Sequence, residues 1–362
     1  MPPRITLRMV AKEAKRDLAT VSMALRSDPR LRPETIQHVK AVAARMGYVQ
    51  DLAVSAVMSR LRTSQRTSSA EVLAYLHARP LTSGHEGTAD GSDPFYAGAK
   101  REAQRQGYKI DAFDLSDSAM SPQRLSQVLS ARGIRGVLIA PFPAGQSSFE
   151  MEWDRFSVVA LGASLHSPII NRVTNGQYSS LRIAMEHLIE RGYQRIGFAI
   201  HEVHNARLQG AFLGAYLACQ HSIPAGQRLA PLILEKPSGQ QITRWIEQEK
   251  PDVIISSLVH EMIEKNEISP AKIPENLSFV GTDVSPRGHL SGIFQNHEHD
   301  GAEGMRMLVG QLLRNEFGIP EQPIAYTTFG VWHEGETTPL GRPSNRSKAP
   351  SSKEKRLGQG VR

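Results

Sequence analysis

The sequence predicts a small all-α helix-turn-helix domain followed by a two-lobed α/β core built on parallel sheets. Three observations carry this. The chain has 362 residues, more than one domain takes and enough for a large body plus a small appendage. Apolar residues recur at helical spacing through the first 47 positions. From residue 70 onward, short apolar strand signals alternate with helical patterns.

Charge separates the same regions. Residues 1–66 carry a net +8, residues 337–362 a net +6, and the stretch between them −7, within a total of +7. A basic head on an acidic body suits a head that touches phosphates. The single cysteine, Cys219, excludes an internal disulfide framework and fits a reducing cytoplasm. No apolar run approaches the roughly 18 residues of a membrane span, and the N-terminus has no long apolar secretory segment.

Three helices are expected in the head. Thr6 suits an N-cap, with Val10, Ala11 and Ala14 following at helical spacing. Lys15-Arg16-Asp17 breaks the pattern, and Asp17 caps a second helix whose expected inner face is Leu18, Val21 and Leu25. Ser27-Asp28-Pro29 reads as a turn. Pro33 opens a third helix with Ile36, Val39, Val42 and Met46 inward, and Gly47 stops it. Two helices across a tight turn, braced by a third, describe a helix-turn-helix unit.

In the body, strands are expected at Val72–Ala78, Tyr108–Phe113, Gly136–Pro141, Ser157–Leu161, Arg195–Ile200, Ala230–Leu234, Asp252–Ser256 and Leu277–Gly281. Helices are expected at Phe95–Gln106, Pro122–Arg132, Ser179–Arg191, Ala206–Cys219 and Gln240–Glu249. Such alternation implies parallel sheets with helices on both faces. Ligands of open α/β sheets bind beyond the carboxyl ends of the strands, so two lobes are expected to share one polar cleft.

Ile5 through Ala14, Ala19 through Leu25, and Pro33-Glu34-Thr35 through Met46-Gly47-Tyr48 resemble the head of the LacI/GalR repressor family. In the body, Glu186 through Gly197, Arg207-Leu208-Gln209-Gly210, Leu277 through Asp283 and Gly292-Ile293-Phe294-Gln295 resemble that family's periplasmic-binding-protein-like core. The likeness runs to about residue 336. It implies a dimeric or tetrameric regulator, a repressor, that binds a pseudo-palindromic double-stranded DNA operator and answers to a small polar or sugar-like effector. It implies no cofactor, metal or catalytic residue.

By position, the resemblance places the second helix in the major groove, with Leu18, Ala19 and Met23 facing base edges. Thr6, Thr20, Ser22 and Thr35 would contact phosphates, and Leu7, Lys15, Arg16 and Arg26 complete the expected DNA-facing set. The family's Gly-Val-Ser turn is Lys15-Arg16-Asp17 here, and a frequent base-reading Arg is Met23. The helix therefore offers apolar contacts, as to thymine methyls, rather than bidentate guanine pairing. In the hinge, Val57 takes the position of the apolar minor-groove wedge, with Met58 beside it.

For the effector, Arg207 and Asp283 match the pair that grips hydroxyls, and Phe95, Tyr96 and Gln295 are expected to line the site. Asn-Asp after the strand ending at Ser256 is replaced by Leu258-Val259, and Asp-Asn before the Ser179 helix by Gly176-Gln177. The expected domains are the helix-turn-helix head 1–47, the hinge 48–69, the core 70–336 and a basic, disordered tail 337–362. The core's lobes are 70–165 with 297–325, and 166–296 with 326–336.

Other functions fit less well. A solute-binding protein would share the body without a basic head. An effector-independent repressor would keep the head alone in use. An α/β enzyme would need a constellation such as Gly-x-Ser-x-Gly, a phosphate-cradling Gly loop or a dinucleotide fingerprint, and none is present. His201-Glu202-Val203-His204 and His297-Glu298-His299-Asp300 lack the i, i+4 spacing of a helical zinc pair.

Overall fold

The computed structural model describes residues 5–25, 31–48, 70–81, 93–116, 121–236, 238–265, 267–268 and 273–338. Arg26, the turn at Ser27-Asp28-Pro29, most of the hinge with Val57 and Met58, and the tail from residue 339 lie outside them.

The head is three helices: α1 Leu7–Glu13, α2 Leu18–Leu25 and α3 Pro33–Met46. Val10, Ala14, Val21, Ala24 and Val39 form its core, each no more than 1% exposed. Leu18 departs from the expected inner face: it is 43% exposed. Val21 and Ala24 are the buried residues of α2, and Leu18 sits on the turn beyond their reach.

The body divides into two compact units, the first ending at Asn175 and resuming over Asn296–Thr328, the second Gly176–Gln295 and onward from Phe329. In the first unit, β1 Val72–His77 leads to α4 Pro94–Arg105, β2 Lys109–Asp114, α5 Pro122–Ala131, β3 Gly136–Ile139, β4 Ser157–Leu161 and β5 Arg172–Asn175. Helix α11 His297–Arg314 and strand β11 Ala325–Thr328 complete it. The sheet order is β11-β5-β4-β3-β1-β2, parallel throughout. Strands β3 and β4 are buried along their whole length, as a sheet covered on both faces requires. Alternate residues feed two cores: Ala74 and Leu76 meet Leu125 and Leu129 on one face, while Leu73 and Tyr75 meet Ala99, Met305 and Leu308 on the other.

The second unit holds α6 Gln177–Glu190, β6 Ile196–His201, α7 Glu202–Arg207, α8 Ala211–His221, β7 Leu232–Leu234, α9 Gly239–Glu249, β8 Val253–Ile255, α10 Ser257–Glu264 and β9 Ser278–Val280. Its sheet runs β7-β6-β8-β9, again parallel. Strands β10 Gly292–Phe294 and β12 Val331–His333 form a separate antiparallel ribbon.

Two differences from the expected elements have clear causes. The single helix expected over Ala206–Cys219 is two helices, because Gln209 at φ 54° and Gly210 at φ 70° turn the chain left-handed between them. Helix α11, the longest among the described residues, was not anticipated. It lies so close to α4 that a Cβ on Gly98 would sit 1.8 Å from the Glu298 carbonyl oxygen, and one on Gly301 would sit 2.0 Å from that of Phe95.

Candidate nucleic-acid interface and effector site

Local hydrogen bonds build the DNA-facing corner of the head. The Thr6 side chain accepts from the Met9 N–H at 3.4 Å and opens α1. Ala14 then ends the helix, and Lys15 turns the chain at φ 51°. This is the left-handed conformation that glycine adopts most easily. It accounts for the glycine the family places in this turn.

Asp17 starts α2. Its Oδ1 accepts from the Thr20 N–H at 2.8 Å and its Oδ2 from the Thr20 hydroxyl at 2.6 Å. Those bonds, the side-chain one first, hold the fully exposed carboxyl below the usual carboxylate range. The Thr20 hydroxyl proton is thus committed within the head, and a phosphate contact by that proton requires the bond to Asp17 to break. Arg16 folds back, donating to the Lys15 carbonyl at 3.3 Å.

Lys15, Arg16, Asp17, Leu18 and Ala19 form one continuous exposed run. Ser22, Met23 and Thr35 are half-buried, and Leu7 leans against the head core. Helix α3 braces the corner from behind. It begins with Pro33 at its first turn and ends at Gly47 with φ 70°. Arg45 pairs with Glu13 at 2.9 Å, and the His38 imidazole donates to the Ala14 carbonyl at 3.3 Å.

The candidate effector residues fall into two sets. Phe95 and Tyr96 belong to the first unit, while Arg207, Asp283 and Gln295 belong to the second. In the first unit, Asp93 caps α4 by accepting the Tyr96 N–H at 3.0 Å and also receives the Tyr75 hydroxyl at 3.4 Å. The Tyr75 and Tyr96 rings lie 5.0 Å apart, and burial pushes both phenols up. The Phe95 ring stacks on His297 with centroids 4.4 Å apart.

Behind that stack, Asp300 is 1% exposed. It receives the Thr328 hydroxyl at 2.5 Å and lies 3.3 Å from His297 Nδ1. Thr328 ends β11, Asn175 ends β5 and His77 ends β1. The carboxyl edge of this sheet therefore carries a polar, aromatic-rimmed set; its His77, Asn175 and Thr328 escaped the sequence reading, and His297 and Asp300 were weighed there only as metal ligands. The only sequence signal was the histidine-acid run at 297–300, which serves α11 as a first turn.

In the second unit, Arg207 closes α7 and Asp283 follows β9. Gln295, 5% exposed, donates to the Thr282 carbonyl at 2.8 Å, which ties the end of β10 to the residue preceding Asp283. At the end of β6, His201 Nδ1 accepts the Val203 N–H at 3.1 Å and so caps α7.

No family model matches the chain. A maltose regulon regulatory protein from Vibrio furnissii is 26% identical over 138 residues, which is 37% of this chain and 87% of the relative. The lac repressor dimer bound to operator and the anti-inducer ONPF has the same fold. It is 16% identical, has a TM-score of 0.50, and covers 92% of this chain and 99% of that one. A periplasmic binding protein/LacI transcriptional regulator from Alkaliphilus metalliredigens, complexed with D-xylulofuranose, matches at 18% identity and a TM-score of 0.51, over 74% of this chain and 99% of that one. The solved structures show the fold, and the Vibrio furnissii protein is a partial sequence likeness.

The chain has the fold of the LacI transcriptional regulators. Set against the LacI/GalR pattern that its sequence resembles, it departs at Lys15, Asp17 and Met23 in the head. It also departs at Gly176-Gln177 and Leu258-Val259 in the core.

Proposed function

We propose that the chain is a sequence-specific repressor that binds a pseudo-palindromic operator as a dimer through its head. The observation that carries this is the exposed run Lys15–Ala19, held on a packed three-helix core at the start of α2, where a recognition helix meets base edges. The exposed Leu18 and Ala19, with Met23, read bases. Thr6, Lys15, Arg16, Ser22, Arg26 and Thr35 position the head on phosphates, and Leu7 supports α1 behind them. Thr20 joins the phosphate set only when it releases Asp17. Val57 and Met58 act at the hinge. Residues 1–47 form the DNA-binding domain, 48–69 the hinge, 70–336 the regulatory core and 337–362 a basic tail.

A small polar effector regulates binding through Phe95, Tyr96, Arg207, Asp283 and Gln295. An Arg fork and a carboxylate suit hydroxyls or a carboxylate. An operator-binding role places the chain in the cytoplasm and makes it a regulator rather than an enzyme. No helix among the described residues is long and apolar enough to cross a membrane.

Selection of bound duplexes from a random pool tests the DNA reading. The expected product is a paired half-site, with affinity falling about a thousandfold or more between roughly 50 and 200 mM salt. A pool that yields no preferred site overturns it. Loss of the usual polar pair at Leu258-Val259 favours one second reading, an effector-independent repressor. A broad metabolite set that leaves thermal stability and operator affinity unchanged selects that reading.

A further inference from the structure

The start of α2 has an unusual charge arrangement. In helices that touch DNA, the N-terminal N–H groups and their partial positive charge suit a phosphate. Here the protein's own carboxylate occupies that end, because Asp17 accepts both the Thr20 N–H and the Thr20 hydroxyl. Asp17 is exposed, as are Leu18 and Ala19 directly after it. A carboxylate has about four acceptor positions, and the two bonds to Thr20 use two of them. The carboxyl is fully exposed, in the same exposed run as the proposed base-reading side chains.

The major groove gives a carboxylate one good partner. Cytosine presents only its N4 amino donor there. Adenine pairs its N6 donor with an acceptor at N7, guanine shows acceptors at O6 and N7, and thymine shows an acceptor at O4. We infer that Asp17 is a specificity-determining residue of the recognition helix, selecting cytosine at one fixed position of each half-site by accepting from N4. This rests on the DNA-binding reading above.

The same carboxylate repels phosphate, so it lowers affinity for every duplex that lacks a cytosine at that position. Lys15 and Arg16, exposed on the preceding turn, keep the corner attractive to the backbone as a whole. Asp17 thus separates specific from non-specific binding, because its charge is compensated only when a cytosine amino group meets it. The next two residues of the helix, Leu18 and Ala19, carry no hydrogen-bonding side chains that would duplicate this discrimination.

The test uses the full chain as wild type, Asp17→Asn and Asp17→Ser, each run through selection from a random duplex pool and titrated against mixed-sequence duplex. Asn and Ser both cap helices well, and far-UV circular dichroism with amide exchange confirms that the head stays folded. For wild type, the expected result is an invariant cytosine in each half-site. For both variants, that position relaxes to mixed bases. With one repulsive charge gone, mixed-duplex binding becomes tighter, and the affinity lost between about 50 and 200 mM salt grows by about threefold, the effect of one more released counterion.

Selected sites with no fixed cytosine, or variants that select the same sites as wild type, reduce Asp17 to a helix cap and overturn the inference while leaving the DNA reading intact. A wild-type chain that selects no site at all removes the DNA reading, and this inference with it.

Discussion

The imidazole of His187 lies on the indole of Trp332, with ring centroids 4.1 Å apart and planes 29° from parallel. Around the stack, Arg191 pairs with Glu334 and also donates to the Thr338 carbonyl at 3.2 Å, so the end of the described chain is fastened to α6. Burial first, and then the Arg191 charge, hold the His187 imidazole below its ordinary range, against the opposing pull of Glu334 and Glu190.

A histidine depressed in the folded state contributes stability that is present above its unfolded value, near 6.5, and is lost as pH falls through the folded value. Glu334 is also held low, chiefly by the Arg191 hydrogen bond, so its contribution is lost only in the more acidic carboxylate range. Replacing His187 with Phe keeps the aromatic stack and removes the titration. The expected outcome is a smaller loss of melting temperature between pH 7.5 and 5.5 than in wild type. An identical loss in both proteins would show that His187 does not contribute to acid sensitivity.

Lys15 sits at φ 51°, which costs a residue with a side chain about 1 kcal/mol relative to glycine. Lys15→Gly is expected to stabilise the head by about 0.5 kcal/mol, the remainder being offset by glycine's greater freedom when unfolded. Amide exchange at the buried Val10 and Val21 should slow by about twofold, since exchange from core amides follows local opening. Faster exchange would mean that the lysine side chain makes a contact worth more than the strain.

The crossing of α4 and α11 requires glycine. Gly98→Ala would place a methyl 1.8 Å from the Glu298 carbonyl oxygen, and the helices can only separate. A loss of about 2–4 kcal/mol is expected, the range for overpacking a core at backbone. Gly214→Ala is the control. Gly214 is exposed inside α8 with nothing near its absent methyl, so this change should stabilise by about 0.5–1 kcal/mol through helix propensity. Urea midpoints moving the same way for both variants would contradict the placement of α11 against α4.

Arg207→Ala tests the regulatory site. Because α7 and β9 belong to the second unit and the head to the first, operator affinity in the absence of effector should stay within about twofold of wild type, as for independent sites. A metabolite that stabilises the wild-type chain in a thermal shift screen should lose its effect on both stability and operator binding in the variant. If the variant keeps the response, Arg207 is not a ligand contact.

Much of the head can be read from the sequence, because its decisive interactions span only a few residues. Thr6 bonds Met9, Asp17 bonds Thr20, and Gly47 closes on Ala44, so each is visible as a cap or stop in the one-dimensional pattern. The buried strands are legible for a related reason. A strand covered on both faces must be apolar at every position, and Gly136–Ile139 and Ser157–Leu161 come close to that. The broken helix at Gln209-Gly210, the short ribbon strands β10 and β12, and helix α11 were not legible. Helix α11 buries Asp300, Gly301, Gly304 and Gln311 alongside Met305 and Leu308, a mixture that no apolar periodicity displays. Its burial is conferred by α4, through the contacts at Gly98 and Gly301, and by Leu161 of β4 against Gly304.

By itself, then, the sequence determined which segments fold locally, which are apolar enough to be covered, and which family the head resembles. Only the tertiary structure decided that Leu18 faces solvent. Only it set Phe95 on His297 and placed Asp300 between His297 and Thr328. Caps and covered strands are set by interactions among near neighbours in the chain. The polar cluster at the sheet edge joins residues more than 200 positions apart, and such a contact exists only once the layers between them have packed.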